Sequence, residues 1–282
     1  MKVSLLYTNI CNINCKHCFI SKALPQKRME KMLFTKIIKE ICKEKNRIKS
    51  VSISGGEPML FLDEIVNLIK ANKFEQELSF SISSNASWAT TMVESNRICS
   101  ELSSINVNRL EISYDLFHAE FVDIINVFNA VKAAQKLGIT IYIVFSVANG
   151  FDYLPLYVEL CKIIDKKKII LQHVANYGNA KQYGLDCILP ISAFEDKRCY
   201  QILNPCIDYN GDFYACCGAN TLKQDTPLYI GNIYSGSFKD LTERMNRNLK
   251  IQQILKEGPF QLLKDKDVQV CSSLCELCDL LD

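Results

Sequence analysis

No apolar run in this sequence reaches the roughly 18 residues that a membrane-spanning helix needs, so no such helix is expected. Charge of one sign is not in excess either: 33 Lys and Arg stand against 31 Asp and Glu. That balance gives no general attraction to nucleic acid or to an anionic membrane surface. The lysine-rich runs over 36–49 and 165–168 are short, and both read as solvated helix faces or turns. No basic n-region, apolar h-region and small-residue cleavage site precede the first strand-like run. The expectation is a cytoplasmic protein, with no room before Val3 for a separate leader-binding domain. Cysteine, by contrast, is plentiful: 14 in 282 residues. The chain is too long for a disulfide-stapled secreted scaffold, so clustered thiols point to metal.

The decisive absence is a fourth cysteine in the stretch Cys11-Asn12-Ile13-Asn14-Cys15-Lys16-His17-Cys18. Three thiolates on a [4Fe–4S] cluster leave one iron open to a substrate or cofactor. A structural zinc site, which uses four ligands and favours C-x2-C pairs, or reduced core thiols are the alternatives. Further on, Ser50-Val51-Ser52-Ile53-Ser54 is a β-branched strand ending in Gly55-Gly56-Glu57-Pro58. Glycines there let the backbone approach a ligand closely, and proline starts the next turn.

Apolar runs and helical periodicities alternate from Val3 to Val174. Strands are predicted over 3–7, 50–54, 78–83, 107–113, 139–147 and 168–174, and helices over 34–45, 90–102, 121–137 and 153–164. Such alternation implies a parallel sheet with helical cover. Six units are two short of a closed eight-fold barrel, so the fold class is α/β, a partial (β/α)6 TIM-like barrel. Loops after the strands carry the chemistry in such folds. The cysteine loop, the glycine turn, Ser84-Asn85 and Asp115 all fall there, and His173 ends the sixth strand.

A composition shift near Cys187 divides the chain into residues 1–184 and 185–282. The second part holds Cys187, Cys199, Cys206, Cys216, Cys217, Cys271, Cys275 and Cys278. Asp208 to Tyr214, centred on Asn210-Gly211, is a hairpin signal that brings Cys199 and Cys216 together. The C-x2-C tail at Cys275 and Cys278 can supply two more ligands, and the span 238–257 reads as one long amphipathic helix. A zinc clip from the same thiols is the alternative to a second cluster, and Cys187, Cys206 or Cys271 could replace a named ligand. Cys42, Cys99 and Cys161 lie on helix faces and read as small core hydrophobes. Cys217 directly follows a proposed ligand and would point the other way on a continuing strand.

C-x3-C-x2-C with an aromatic residue, His17, before the last cysteine resembles the radical S-adenosylmethionine (SAM) superfamily. The resemblance implies that Cys11, Cys15 and Cys18 hold a [4Fe–4S] cluster and that SAM chelates its open iron. It further implies that Gly55, Gly56, Glu57 and Pro58 meet the SAM amino group. Ser84 and Asn85 stand where the superfamily has a Thr/Ser-Asn-Gly turn, and Ser113 and Asp115 end the fourth strand. Tyr177-Gly178-Asn179-Ala180 resembles a Gly-Arg-Ala segment beside SAM, with Asn179 in place of arginine. His17 and these residues are the candidate cofactor site. The order Cys199, Gly211, Cys216 resembles the entry of SPASM and twitch domains, which implies one auxiliary [4Fe–4S] cluster on Cys199, Cys216, Cys275 and Cys278. Ile112 to Asp115 with His118-Ala119 and Phe121-Val122, then Cys216-Cys217 and Ser272 to Cys278, resemble the radical SAM peptidyl epimerases. That narrower resemblance implies a ribosomally made peptide as substrate, a flavodoxin- or ferredoxin-like electron donor, and Cys217 as the hydrogen-atom donor that completes inversion to a D-residue. Asp208 is the candidate polar residue near that donor. The spacing from Cys199 to Cys216 is about one residue longer than in that family. Enzymes that crosslink peptides through thioether or carbon–carbon bonds, enzymes that epimerise or oxidise aminoglycoside sugars, and a non-catalytic electron carrier are the competing readings.

Overall fold

The computed structural model describes residues 1–48, 50–185, 188–264 and 266–281. Six parallel strands form its centre: β1 (Lys2–Thr8), β2 (Ser50–Gly55), β3 (Phe80–Ser84), β4 (Val107–Ser113), β5 (Thr140–Val147) and β6 (Ile169–His173), in that spatial order. Helices α1 (Lys31–Lys43), α2 (Leu62–Ala71), α3 (Met92–Ser104), α4 (Ile124–Lys136) and α5 (Leu154–Cys161) connect them. The partial barrel expected from the alternation is therefore present. Helices α3 and α4 start two and three residues inside the periodic runs, where a polar residue caps them. Thr91 accepts from the Glu94 amide at α3, and Asp123 from the Ile125 amide at α4.

Strands β1 to β5 each have one face against the helices. Val3, Leu5 and Tyr7, Val51 and Ile53, Phe80 and Ile82, Leu110 and Ile112, and Ile141, Ile143 and Phe145 are buried there. Tyr7 meets Phe34 of α1 edge-on at 5.8 Å, and Phe145 meets Tyr153 and Tyr157 near α5. The alternate residues line the concave face. Serines are frequent among them: Ser4, Ser52, Ser54, Ser81, Ser83, Ser113 and Ser146.

The second region continues the same sheet. After α6 (Gly178–Tyr183) and the short β7 (Leu189–Pro190), β8 (Cys206–Ile207) lies parallel to β1, Ser4 opposite Cys206. β9 (Asp212–Tyr214) returns antiparallel to β8 and β10 (Tyr229–Asn232) pairs with β9, giving a nine-stranded sheet ordered β10-β9-β8-β1-β2-β3-β4-β5-β6. The predicted hairpin is β8–β9. The predicted single helix over 238–257 is two, α7 (Phe238–Arg247) and α8 (Leu249–Glu257). Asn248 takes an extended conformation and its side chain accepts from the Ile251 amide, so it caps a new helix instead of continuing the old one. β11 (Val270–Cys271) pairs with β7, and α9 (Leu274–Asp279) ends the described chain. Among the described residues no helix is long and apolar enough to cross a membrane.

Candidate active site

The cysteine loop leaves the top of β1. Cys15 is buried, and Cys11 and Cys18 are half-buried. Burial pushes all three thiols up; Cys15 also feels Cys18 and Cys11, and Cys18 feels Cys11. Three desolvated thiols at one place are poor anions by themselves. As thiolates they need a cationic centre between them, which fits a metal cluster held by three ligands.

The loop is moulded by neighbouring turns. Gly55 has φ +130°, and a Cβ there would lie 2.0 Å from the Thr8 carbonyl oxygen; one on Gly56 would lie 2.1 Å from that of Ile10. The Gly56 amide donates to Thr8 (2.7 Å) and the Glu57 amide to Ile10 (2.8 Å). The glycines were expected to make room for a ligand; their immediate neighbour is the backbone entering the cysteine loop. Glu57 is fully buried and accepts from the Met59 amide (3.0 Å) and the Asn85 amide (2.7 Å). Burial pushes its carboxyl up to about 7 against those donors. Its side chain thus ties the glycine turn to Ser84-Asn85. Asn85 Nδ2 donates to Asn12 (3.0 Å) and lies 3.9 Å from Cys11 Sγ, and Ser84 Oγ accepts from the Trp88 indole (2.9 Å).

Asp115 is fully buried above Ser113. Its Oδ1 accepts from the Phe117 and His118 amides and pairs with His118 Nδ1 at 2.9 Å; its Oδ2 accepts from the Ser146 amide and lies 3.6 Å from His17 Nε2. Burial would raise this carboxyl, but His118, His17 and the Ser146 amide pull it down to about 2. Asp115 therefore orients two imidazoles and is itself closed off from solvent. His17 stacks on Phe117 at 4.7 Å, and burial lowers its ring to about 4, so it is neutral. Cys15, His17 and His118 offer ligand atoms within 4.8 Å of one another. Asn179 is 2 % exposed and faces the cysteine loop. Its Nδ2 donates to the Cys15 carbonyl (3.1 Å) and to Asn14 Oδ1 (3.2 Å), its Oδ1 accepts from the Lys22 amide (3.3 Å), and its own amide donates to the Cys18 carbonyl (2.8 Å). Where the family pattern implied a contact with SAM, the side chain clamps the loop.

The second group of thiols lies where α9 meets the loop after β9. Burial pushes Cys216, Cys275 and Cys278 up, and Cys199 adds to each. Gly218 sits between two of the sulfurs: a Cβ on it would be 3.0 Å from Cys275 Sγ and 3.4 Å from Cys216 Sγ. The four expected ligands thus lie within electrostatic reach of one another, and a methyl group on Gly218 would crowd two of them, Cys216 and Cys275. Asp279 secures the arrangement by accepting from Tyr177 (2.8 Å), Asn220 (3.0 Å), Lys223 (3.2 Å) and Thr226 (3.3 Å). Cys206 is a fully buried thiol among Leu6 and Tyr214, and Cys271 bonds the Ser273 carbonyl at 3.1 Å. Cys187 lies outside the described residues. Of the three helix cysteines, Cys99 is in the core, Cys42 is half-buried, and Cys161 is exposed and no core residue.

Cys217 parts from Cys216, although not by strand alternation, because β9 ends at Tyr214. It packs against Leu6, Cys206 and Tyr214 on the concave face, with Gln201 Oε1 3.7 Å from its sulfur and the Ser4 hydroxyl also bonded to it. Asp208 is buried in the hairpin turn, where its Oδ1 accepts from the Asn210 (2.8 Å) and Asp212 (2.9 Å) amides. It is a turn residue, and none of its hydrogen bonds reaches Cys217. Sequence reasoning missed Lys2, Ser4, Arg109 and Glu111 on the concave face. The visible signal was the serine alternation in β2 and β3.

Residues 5–152 match the family model of the radical SAM superfamily. The chain belongs to the radical SAM superfamily. SAM and a [4Fe–4S] cluster are the cofactors of this superfamily, and the three-thiol loop suits them. The chain is also 29% identical over 268 residues to the peptide biosynthesis protein YydG of Bacillus subtilis (strain 168), covering 91% of this chain and 81% of that one. The radical SAM fold is shared with anSMEcpe bound to AdoMet and a Cp18Cys peptide (TM-score 0.60, 14% identity, 98% of this chain and 94% of that one). It is shared equally with Streptococcus suis SuiB bound to its precursor peptide SuiA (TM-score 0.60, 16% identity, 98% and 75%).

Proposed function

We propose that this radical SAM enzyme inverts a residue of a ribosomally made peptide from L to D, with Cys217 as the hydrogen-atom donor. The observation that carries the reading is the position of Cys217. It stands on the concave face, while its neighbour Cys216 faces the sulfur of Cys275 across Gly218. When bound and reduced, the cluster and SAM supply a carbon-centred oxidant that can take hydrogen from an unactivated C–H bond. Cys11, Cys15 and Cys18 would hold that cluster, with His17, the 55–58 turn, Ser84, Asn85 and Ser113 around the cofactor and Asp115 and Asn179 positioning the loop and the imidazoles. Cys217 then stands below the loops at the tops of the strands, so a peptide on the concave face lies between the two. A Cα centre that loses hydrogen toward the loops becomes planar, and hydrogen from Cys217 on the other side completes the inversion. The thiyl left on Cys217 takes back one electron and one proton. Cys199, Cys216, Cys275 and Cys278, on an auxiliary cluster, would be the adjacent electron source, and a flavodoxin- or ferredoxin-like protein the external one. Residues 1–184 would serve the first chemistry and residues 185–282 the second. YydG is named for peptide biosynthesis, and two proteins of this fold hold peptides.

The test is Cys217→Ala in deuterated water. The wild type gives a D-residue with a one-dalton gain. The variant still forms 5′-deoxyadenosine but its D-product falls at least about a hundredfold, because Cys206, the thiol packed against Cys217, is fully buried. Undiminished D-product from the variant, or a wild-type product two hydrogens lighter than the substrate, would overturn the assignment.

A further inference from the structure

An ordinary barrel interior is filled with branched side chains. Here serines leave the concave face open, and three charged side chains meet on it below the cofactor loops. Lys2 Nζ on β1 lies 3.7 Å from Glu111 Oε1 on β4, and Arg109 Nε lies 2.8 Å from the same oxygen. β2 and β3 separate β1 from β4, so the Lys2 contact spans the hollow of the sheet. The Ser83 hydroxyl donates to the other Glu111 oxygen at 3.3 Å. The Arg109 guanidinium lies over the Tyr142 ring at 4.1 Å.

Two features of this group point to a missing partner. One carboxylate between two cations leaves a net positive charge in a partly desolvated hollow. In addition, Arg109 Nε and Ser81 Oγ are buried without a hydrogen-bond partner among the described residues. Arg109 Nε is close to Glu111, yet its N–H is not aimed at it. Ser81 and Arg109 are directly opposite each other in the β3–β4 register. Buried unpaired polar atoms are uncommon and ask for a reason; two side by side, beside surplus positive charge, suit an anionic acceptor. A guanidinium held flat by an aromatic ring presents a fork that matches a carboxylate. Cys217 is close by, bonded to Ser4 and within electrostatic reach of Lys2.

We propose that Arg109, with Lys2 and Ser81, is a carboxylate receptor that sets the register of the peptide over Cys217. This rests on the peptide reading above. The carboxylate belongs to an acidic side chain or to the peptide C-terminus; both offer the same pair of oxygens. Glu111 and Tyr142 position the receptor and do not touch the ligand.

The test uses pools of N-acetylated hexapeptides, random except for Asp or Asn at one position, each made as free acid and as C-terminal amide. Holoenzyme with SAM and no reductant is mixed with each pool, and the retained peptides are measured by mass spectrometry. Wild type retains carboxylate-bearing peptides at least about tenfold over matched amides, less so at high salt, as expected for a partly exposed charge pair. Arg109→Gln loses that preference and Arg109→Lys keeps part of it, with iron content and circular dichroism unchanged; Lys2→Met weakens it. Loss on Asp to Asn identifies a side chain as the source, and loss on amidation identifies the C-terminus. Equal retention of acids and amides by wild type, retention of neither, or an undiminished preference in Arg109→Gln overturns the receptor. Adding reductant in deuterated water separates the two ideas. Retained acidic peptides that gain no deuterium would sink the epimerase reading alone, and deuterium entering acids and amides alike would sink the receptor alone.

Discussion

Asn179→Ala should loosen the cysteine loop rather than the grip on SAM. The side chain is 2 % exposed and joins three points of the loop: Asn14, Cys15 and Lys22. Its own amide bond to Cys18 survives the substitution. Three lost hydrogen bonds at about 1 kcal/mol each, with partners left in a largely buried place, amount to about 3 kcal/mol. At 1.4 kcal/mol per tenfold, that is about a hundredfold in the balance between the ligating and the opened loop. Anaerobic transfer of iron to a colorimetric chelator reads this directly, and its rate should rise by about that factor if release passes through the opened loop. Asn179→Asp keeps the acceptor for Lys22 but places a negative charge against the Cys15 carbonyl, so it should be no better. SAM affinity of the fraction still loaded should change little. A variant that holds iron as firmly as the wild type while binding SAM weakly would refute the clamp and restore the direct contact implied by the family pattern.

If the proposed auxiliary cluster is held there, Gly218→Ala should crowd Cys216 and Cys275 while sparing the first cluster, and iron would fall from roughly eight per chain toward roughly four, read by iron analysis and Mössbauer spectroscopy. Gly178→Ala should be severe, because φ is +52° and a Cβ would sit 2.2 Å from the Phe19 carbonyl oxygen; low soluble yield and a lowered melting temperature are expected. Asp208 titrates at about 6, raised by burial and by Asp212 although backbone donors oppose it. A carboxyl raised above its unfolded value contributes stability below about pH 4 and loses it as pH rises through 6. Asp208→Asn should therefore gain about 2–3 kcal/mol over wild type at pH 8 and almost nothing at pH 4, measured by anaerobic denaturant midpoints. A constant difference across that range would contradict the buried-carboxylate account.

The strands were legible because β-branched runs such as Ser50–Ser54 stand between polar turns, and a parallel sheet follows from their alternation with helical periodicities. The three-thiol loop was legible from its short spacing after a strand, and the Cys275–Cys278 pair from its C-x2-C spacing; that Cys199 and Cys216 lie near that pair depends on the fold. Other features depend on distant partners. Gly55 and Gly56 were read as room for a ligand, but what presses on them is the Thr8–Ile10 backbone, more than forty residues away. Asn179 was matched by position to an arginine, and its contacts with residues 14–22 exist only once α6 has docked. β8 is two residues long and carries no periodicity, so its pairing with β1 could not be read. The break at Asn248 went unread because the amphipathic pattern over 238–257 looks continuous, whereas the cap depends on Asn248 turning extended and accepting from the Ile251 amide. Ser50–Ser54 was read as a β-branched strand and 78–83 as a strand; that the alternating serines also mark a hollow face was not drawn from them.

The pairing of β8 with β1 has a practical consequence. Cutting the chain near residue 184 would not release a tidy catalytic half. β1 would become a bare outer strand, with the amide and carbonyl groups that now meet β8 facing water, and the small apolar patch of Leu6 would lose Cys206 and Tyr214. Such an edge invites self-association. A fragment of this kind should clump, and grafting a foreign tail onto this barrel would require one that brings its own strand.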